Sequence, residues 1–307
     1  MRRHLLAIAD LSIDEIRALL DLAVDLKAAW RSGTAGTPLA GRILALLFEQ
    51  PSLRTRVSFE VAMQHLGGQA LYMSPQEVQL GRRETIPDAA RVLSRYVDAI
   101  VLRTVGHDRI VELAEHASVP VINGLSDQEH PCQALADLLT VREHRGALSG
   151  LRLAWVGDGN NVCNSLMLAA AKTGMRVAVA CPPAYRPKPE VVAAAQEAAR
   201  LTGGEVAVFA DPREAVRSAD VVYTDAWISM GQERESAERR TAFAGFQINA
   251  QLMELAGDAV VMHCLPAHRG EEISADVLEG PDSIVWDQAE NRVHAQKAVL
   301  HRLLRGS

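Results

Sequence analysis

Short apolar runs that alternate with helical stretches along the whole chain are the feature that most restricts its fold. In the first half these runs are RILALLF, QALYM, DAIVLRT and VPVING; in the second half they are LRLAWVGD, RVAVAC, EVAVF, DVVYTD and AVVMHCLP. Runs that are apolar on both faces are typical of parallel strands covered by helices on either side. We therefore predict an α/β protein in which two successive sets of strands form two doubly wound, parallel-sheet domains.

The segment RGALSG, residues 145–150, separates the two sets and is typical of a linker. The sequence thus predicts a first domain over residues 1–146 and a second over residues 147–285. The run SIVWD near residue 285 is predicted to be one more strand, and a last helix is predicted from about Ala289 to Leu304. Residues 226–246 are polar and low in periodicity, which is typical of a long functional loop.

Composition and charge argue against several classes of protein. The 307 residues are 48% hydrophobic and 23% charged, as in ordinary globular proteins, and the formal net charge is −6. A negative chain without a local basic patch is a poor binder of nucleic acid. No apolar run approaches the roughly 18 residues of a membrane helix, and Asp10 interrupts the first apolar stretch too early for a signal peptide. We expect a cytoplasmic protein that binds neither nucleic acid nor membranes.

The spacing of the cysteines argues against a metal centre, and the glycine-containing segment that follows one predicted strand argues against a redox cofactor. The four cysteines are scattered without CxxC spacing, which predicts reduced thiols: Cys132, Cys163, Cys181 and Cys264. The segment GDGNN, residues 157–161, follows a predicted strand but lacks GxGxxG spacing, and no acidic residue ends the next strand. We expect no cofactor and no metal, and keep a nicotinamide-dependent dehydrogenase as the alternative from another class.

Polar side chains gather just after the predicted strands, at the edge where doubly wound folds bind their ligands. The segment PSLRTR, residues 51–56, follows the first strand and opens a helix predicted from Leu53. Unpaired N–H groups at a helix start, the hydroxyl of Ser52 and two guanidinium groups would form a phosphate cradle, although a capped helix with solvated arginines explains this stretch equally well. Arg103, which ends a different strand, favours the phosphate hypothesis.

Three further segments, and the separate residue Cys264, each allow two interpretations. His130 in HPCQ is either a helix cap or, with Gln133, a hydrogen-bond donor to a substrate carbonyl. The asparagines of GDGNN either cap a helix or bind a polar substrate. The segment DAWISMGQE, residues 225–233, is either a satellite hydrophobic cluster or a mobile lid, and Cys264 is either an inert core thiol or a functional one.

Four ordered segments resemble signatures of the aspartate/ornithine carbamoyltransferase family: SLRTR, HPCQALADLLT, DAWISMGQE and HCLPAHRGEEI. The first two are similar to signatures that both branches share, and the last two resemble the ornithine branch. The resemblance runs nearly end to end. It implies a first domain that binds carbamoyl phosphate, a second that binds L-ornithine, and a C-terminal helix, residues 286–307, that returns to the first domain.

Motif by motif, the resemblance implies two sets of binding residues. The carbamoyl phosphate set is Ser52, Leu53, Arg54, Thr55, Gln79, Arg103, His130, Pro131, Cys132, Gln133, Cys264, Leu265 and Arg292. The ornithine set is Asn161, Asp225, Ser229 and Met230. The residues implied to be catalytic are Arg54, Arg103, His130, Cys264 and Asp225. Leu53 departs from the threonine that is commoner in the family, which removes one hydroxyl from the cradle.

The implied reaction joins the side-chain amine of ornithine to the carbamoyl carbon and releases phosphate, giving L-citrulline in arginine metabolism. Gln79 matches a residue that family members lend to a neighbouring subunit, which implies a homotrimer or an assembly of trimers. Aspartate is disfavoured as the acceptor because QLGRRET lacks the lysine typical of that branch. Putrescine remains open as an alternative amine, and so does the physiological direction of the reaction.

Overall fold

We describe residues 4–228 and 233–305 of a computed structural model of the protein. Its strands form two sheets in which all pairings are parallel. The strands are β1 (Ile43–Phe48), β2 (Gln69–Met73), β3 (Ala99–Arg103), β4 (Val121–Leu125), β5 (Arg152–Val156), β6 (Arg176–Ala180), β7 (Glu205–Phe209), β8 (Val221–Thr224) and β9 (Val260–His263). The order is β2-β1-β3-β4 in one sheet and β7-β6-β5-β8-β9 in the other, which confirms the predicted fold class.

Helices connect the strands and cover the sheets. They are α1 (Ile13–Arg31), α2 (Leu53–His65), α3 (Pro75–Val78), α4 (Ile86–Leu93), α5 (His107–His116), α6 (Pro131–Arg145), α7 (Asn161–Lys172), α8 (Pro189–Thr202), α9 (Pro212–Val216), α10 (Ser236–Ala242), α11 (Ala250–Ala256), α12 (Ala275–Leu278) and α13 (Val285–Leu304). Among the described residues, no helix is both long and apolar enough to cross a membrane.

The chain divides into two compact units. The first contains the residues up to Leu139 together with those from Glu290 onward, and the second contains Thr140–Ala289. This division falls within α6 and α13, so both helices contribute residues to each unit.

The first sheet brings chemically active residues to its carboxyl edge. Its strands β1 and β3 are almost wholly buried, which explains their apolar sequences. Their register places Phe48 opposite Arg103, so the last residue of β3 lies beside the end of β1. The chain leaves β1 and enters α2 within four residues, which carries the start of that helix to the same edge.

The second sheet has the same construction. Strand β5 lies between β6 and β8, and the rings of Trp155 and Tyr223 stack in its core with centroids 5.0 Å apart. The register of β8 and β9 pairs Thr224 with His263. The two residues that follow this pair, Asp225 and Cys264, therefore leave the carboxyl edge of the sheet side by side.

Two local predictions are wrong. The run SIVWD does not form a strand: Ser283 makes only an isolated bridge to Val261, and α13 begins at Val285. The predicted loop over residues 226–246 contains the helix α10, whose alanine, glutamate and arginine residues favour helix even though they lack an apolar stripe.

Candidate active site

The start of α2 provides the first part of the candidate site. Ser52 caps the helix, and its hydroxyl accepts a hydrogen bond from the backbone N–H of Thr55 at 3.3 Å. Further N–H groups of the first turn carry the positive end of the helix dipole. The side chain of Leu53 is 76% exposed, so this position offers mainly its backbone.

Two arginines from distant parts of the sequence converge on Thr55. The hydroxyl oxygen of Thr55 accepts a hydrogen bond from Nη1 of Arg103 at 3.2 Å and a longer one from Nη2 of Arg292 at 3.5 Å. All three side chains are buried. One neutral hydroxyl thus serves two guanidinium groups, and the cation charge around it exceeds what this oxygen can balance.

Gln133 on α6 fixes the orientation of Arg292. Its Oε1 accepts a hydrogen bond from Nη1 of Arg292 at 2.6 Å, and its Nε2 donates to Oδ1 of Asp137 at 2.8 Å. The amide is therefore held from both ends and cannot turn over without losing a bond. Arg292 is a residue of α13 and belongs to the first unit.

Burial and mutual repulsion lower the pKa of the basic groups in this cluster. The pKa of Arg103 falls to about 10, first because the side chain is buried and then because Arg292 and Arg54 are nearby. The pKa of His130 lies well below its ordinary value of 6.5, for the same reasons and with Arg103 as a further cause. Nε of Arg103 has no hydrogen-bond partner among residues 4–228 and 233–305. Such a cluster favours a bound anion.

We refer to Ser52, Arg54, Thr55, Arg103, His130, Gln133 and Arg292 as the anion cradle. Arg54 is half-buried, and its charge reaches both Arg103 and His130. Arg56 is directed elsewhere: it is exposed, pairs with Glu60 at 3.0 Å and lies over the ring of Tyr72 at 3.8 Å.

The remaining predicted donor-site residues of this unit have less direct geometry. Pro131 and Cys132 are buried at the start of α6, and burial raises the pKa of the Cys132 thiol to about 12, so it stays protonated. Gln79 is exposed and has a left-handed backbone with φ of 34°. Its side-chain amide donates to the carbonyl of Gln76 at 2.8 Å, so this hydrogen bond lies within its own segment.

The second unit contains a carboxylate held by three donors. Oδ2 of Asp225 accepts a hydrogen bond from Nδ2 of Asn160 at 2.8 Å. Oδ1 accepts from the backbone N–H of Ala226 at 2.8 Å and from Sγ of Cys264 at 3.0 Å. Asn160 also caps α7, accepting from Val162 and Cys163 through its other side-chain atom. Asn161, which the motif implied, follows as the first residue of that helix and is partly buried.

A buried histidine supports the segment that carries Cys264. Nδ1 of His263 accepts from the backbone N–H of Leu265 at 2.8 Å, and Nε2 donates to Glu272 at 3.1 Å. Burial opposes the charge of Glu272, yet hydrogen bonds from His263 and from the N–H of His268 leave its pKa below the ordinary value. Leu265 has φ of 60° and precedes a cis peptide bond to Pro266. Ser229 and Met230 lie outside the described residues.

One group of side chains in the described part of the chain has the spacing of metal ligands. One potential ligand atom each from Asp225, His263 and Cys264 lies within 4.8 Å of the others. Both ring nitrogens of His263 are already engaged, with Leu265 and Glu272. The trio fits a metal poorly because binding one would break one of these two hydrogen bonds.

Comparisons with known proteins match both halves of the chain. The family model for the carbamoyl-P binding domain of aspartate/ornithine carbamoyltransferases matches residues 3–143, and the model for the Asp/Orn binding domain matches residues 149–303. The chain belongs to the aspartate/ornithine carbamoyltransferase family.

Similar members of this carbamoyltransferase family cover the chain almost completely. Ornithine carbamoyltransferase of Acidothermus cellulolyticus is 60% identical over 99% of the chain and 97% of the relative, and that of Methanoculleus marisnigri is 57% identical over 100% and 98%. The solved ornithine carbamoyltransferase of Pyrococcus furiosus is 53% identical, with a TM-score of 0.96 over 99% of this chain and 97% of that one.

The structure also shows residues of this carbamoyltransferase-family chain that sequence reasoning missed. Asp158, in GDGNN, forms a buried ion pair with Arg239, which also donates to the carbonyl of Trp227 at 2.6 Å. Burial raises the pKa of Asp158 to about 6, although Arg239 opposes that change. No sequence pattern links two residues 81 positions apart. Glu272 belongs to the segment HCLPAHRGEEI, but the sequence of that segment does not indicate that Glu272 is buried and bonded to His263.

Proposed function

We propose that the protein transfers the carbamoyl group of carbamoyl phosphate to the side-chain amine of L-ornithine, releasing L-citrulline and phosphate. The observation that carries this proposal is the convergence of the buried guanidinium groups of Arg103 and Arg292 on the hydroxyl of Thr55, with the charge of Arg54 nearby. Relatives named ornithine carbamoyltransferase, at 57% and 60% identity over nearly the whole chain, support ornithine as the acceptor.

In the proposed donor site, the start of α2 and Arg54 hold the phosphate group. Arg103, His130 and Thr55 face the carbamoyl oxygen, on which negative charge develops as the amine attacks. Because the low pKa of His130 keeps its ring neutral, the ring can donate one N–H without adding charge. Donors held in place before the reaction stabilise the developing charge without reorganising.

In the proposed acceptor site, Asp225 pairs with the α-ammonium group of ornithine. Asn160 and Cys264 hold the carboxylate of Asp225 in position through their hydrogen bonds. Cys264 and Leu265 lie by the reacting amine, and Asn161, Ser229 and Met230 contact the amino-acid end. Attack requires the neutral amine, whereas a free alkylammonium has a pKa of about 10.4.

We propose the same domain roles that the sequence implied, with carbamoyl phosphate bound by residues 1–146, ornithine by 147–285, and the helix of residues 286–307 returning to the first domain. The matched carbamoyl-P and Asp/Orn binding models support this assignment. We also propose a cytoplasmic homotrimer, or an assembly of trimers, that serves arginine biosynthesis. The exposed position of Gln79 is compatible with a role in a neighbouring subunit's site.

A colorimetric assay for citrulline, with carbamoyl phosphate and a panel of amines, tests the proposal. We expect turnover with ornithine, and much less with putrescine, which lacks the carboxylate, or with aspartate. Phosphate release that requires putrescine and not ornithine would identify a different carbamoyltransferase. Binding of a nicotinamide cofactor, followed by its fluorescence, without turnover of any amine would instead support the dehydrogenase alternative.

A further inference from the structure

An ion pair at the carboxyl end of β1 joins the anion cradle to a separate loop. Arg109, in the first turn of α5, binds the carboxylate of Glu49 with both sides of its fork: Nη2 lies 2.6 Å from Oε1 and Nε lies 3.1 Å from Oε2. The same Nη2 also donates to the carbonyl of Leu80 at 2.7 Å. We propose that Arg109 is a positioning residue that fixes the cradle and the loop of residues 79–84 for carbamoyl phosphate binding.

The position of Arg109 in its helix indicates that an arginine occurs there because of its hydrogen-bond partners and not because it stabilises the helix. Positive charge in the first turn of a helix opposes the helix dipole. Arg109 follows the N-cap Gly106 by three residues, where an acidic side chain would be favoured. A bidentate bond to a carboxylate is the interaction for which an arginine is suited and a lysine is not.

On one side, Glu49 transmits this restraint to the cradle. The backbone N–H of Glu49 donates to the carbonyl of Arg103 at 2.9 Å, and the hydroxyl of Thr104 donates to Oε2 of its side chain. Glu49 is thus bonded to Arg103, to the residue after it and to Arg109. It also lies three residues before Ser52, so its position determines how the chain enters α2.

On the other side, the carbonyl of Leu80 fixes the loop. Leu80 is buried against the core of the first sheet, and the N–H of Gly81 donates to the carbonyl of Glu84 at 2.7 Å, which closes the loop. Leu80 directly follows Gln79, the residue that the sequence motif assigned to the donor site. Arg109 therefore holds two segments that both carry predicted donor-site residues.

The inference rests on the proposed function, and its test begins with wild-type protein that forms citrulline from ornithine. The variants are Arg109→Gln and, as a matched control, Arg42→Gln. Arg42 forms a similar partly exposed ion pair, with Asp98 at 2.6 Å, but lies next to the opposite, amino end of β1. Absence of wild-type turnover would refute the proposed function, whereas the comparison of variants addresses Arg109 alone.

We expect Arg109→Gln to raise the KM for carbamoyl phosphate about tenfold or more, since small displacements of binding groups are costly. The change in kcat should be smaller, because the cradle holds the phosphate before and during the reaction. Arg42→Gln should lower the melting temperature about as much as Arg109→Gln does, because each variant loses one partly exposed ion pair. It should change the KM for carbamoyl phosphate by no more than about twofold. Arg109→Lys, which keeps the charge without the fork, should give an intermediate KM.

An unchanged KM in Arg109→Gln, or an equal rise in Arg42→Gln, would overturn the inference and leave Arg109 with a structural role only. If Arg109→Gln does not fold, Arg109→Lys decides alone. A KM at least about threefold above that of the wild type would then support the inference, and a wild-type KM would overturn it.

Discussion

Replacement of Arg54 by glutamine separates the contribution of the anion cradle to catalysis from its contribution to stability. Arg54 is half-buried, and within residues 4–228 and 233–305 it forms neither an ion pair nor a side-chain hydrogen bond. Its charge instead lowers the pKa of Arg103 and His130. Glutamine keeps a polar but shorter and uncharged side chain and retains helix propensity near that of arginine, whereas glycine would cost about 1 kcal/mol in α2.

Arg54→Gln should affect the stability of the protein and its kcat/KM in different ways. A pKa of about 10 for Arg103, against 12.5, corresponds to about 3 kcal/mol against its charged form, of which burial is the largest part and Arg54 the third. Removal of Arg54 should therefore leave the free energy of unfolding unchanged or raise it by at most about 1 kcal/mol. In the proposed site Arg54 faces the phosphate, on which negative charge increases as this group leaves. A preorganised donor to such developing charge contributes about 3–4 kcal/mol, so kcat/KM should fall by a factor of about 10² to 10³.

The assay combines citrulline formation at varied carbamoyl phosphate with urea unfolding of the same samples. Arg56→Gln is the matched control, because Arg56 lies two residues away but binds Glu60 and Tyr72. We expect it to lose up to about 1 kcal/mol of stability and to keep wild-type kinetics. Wild-type kinetics in Arg54→Gln, or a loss of activity that follows a loss of stability, would refute the reasoning.

Three further predictions address the acceptor half and the pH dependence. Asp225→Asn should lower kcat/KM for ornithine at least about 30-fold with little change in the KM for carbamoyl phosphate, because it removes the buried carboxylate that is proposed to pair with the α-ammonium group of ornithine. An equal rise in both KM values would contradict the assignment. With chemistry limiting, kcat/KM for ornithine should rise about tenfold per pH unit from pH 6 to 9, since only the neutral amine reacts, and a flat profile would argue against this nucleophile. The pKa of His294 is lowered to about 4, by burial and then by Lys297. Below pH 6.5 the unfolded state therefore binds more protons than the folded state, and up to about 3 kcal/mol of stability should be lost as the pH falls from 6.5 to 4. His294→Gln should make urea-unfolding stability less dependent on pH in that window, and an unchanged dependence would show that other groups control it.

The sequence predicts the architecture well because the signal is local. Strands buried on both faces must be apolar at consecutive positions, and each of the nine strands in the described part of the chain lies at an apolar run that the sequence shows. The position of a site at the carboxyl edge follows from topology and not from any single residue. The start of the helix at Leu53 could also be predicted, since Ser52 is a favourable cap that follows Pro51 shortly after the end of β1.

The errors and omissions concern information that is not local. The run SIVWD has strand composition, but only an isolated bridge forms at Ser283 and the helix takes the residues from Val285. The pairs of Asp158 with Arg239, of His263 with Glu272 and of Glu49 with Arg109 join residues that no spacing rule relates. Each depends on burial and on partners that only the folded chain brings together.

Protonation states are the clearest case of chemistry that requires the fold. The sequence alone does not determine the protonation state of His130 near neutral pH, because the ordinary pKa of histidine is about 6.5. In the folded first unit, burial and the charges of Arg292, Arg103 and Arg54 move its pKa well below that value. A neutral His130 can orient a carbonyl oxygen but cannot supply charge to it. In the proposed mechanism, the positive charge that stabilises the developing oxyanion must therefore come from arginine side chains, which stay protonated even where burial and repulsion lower the pKa of Arg103 to about 10.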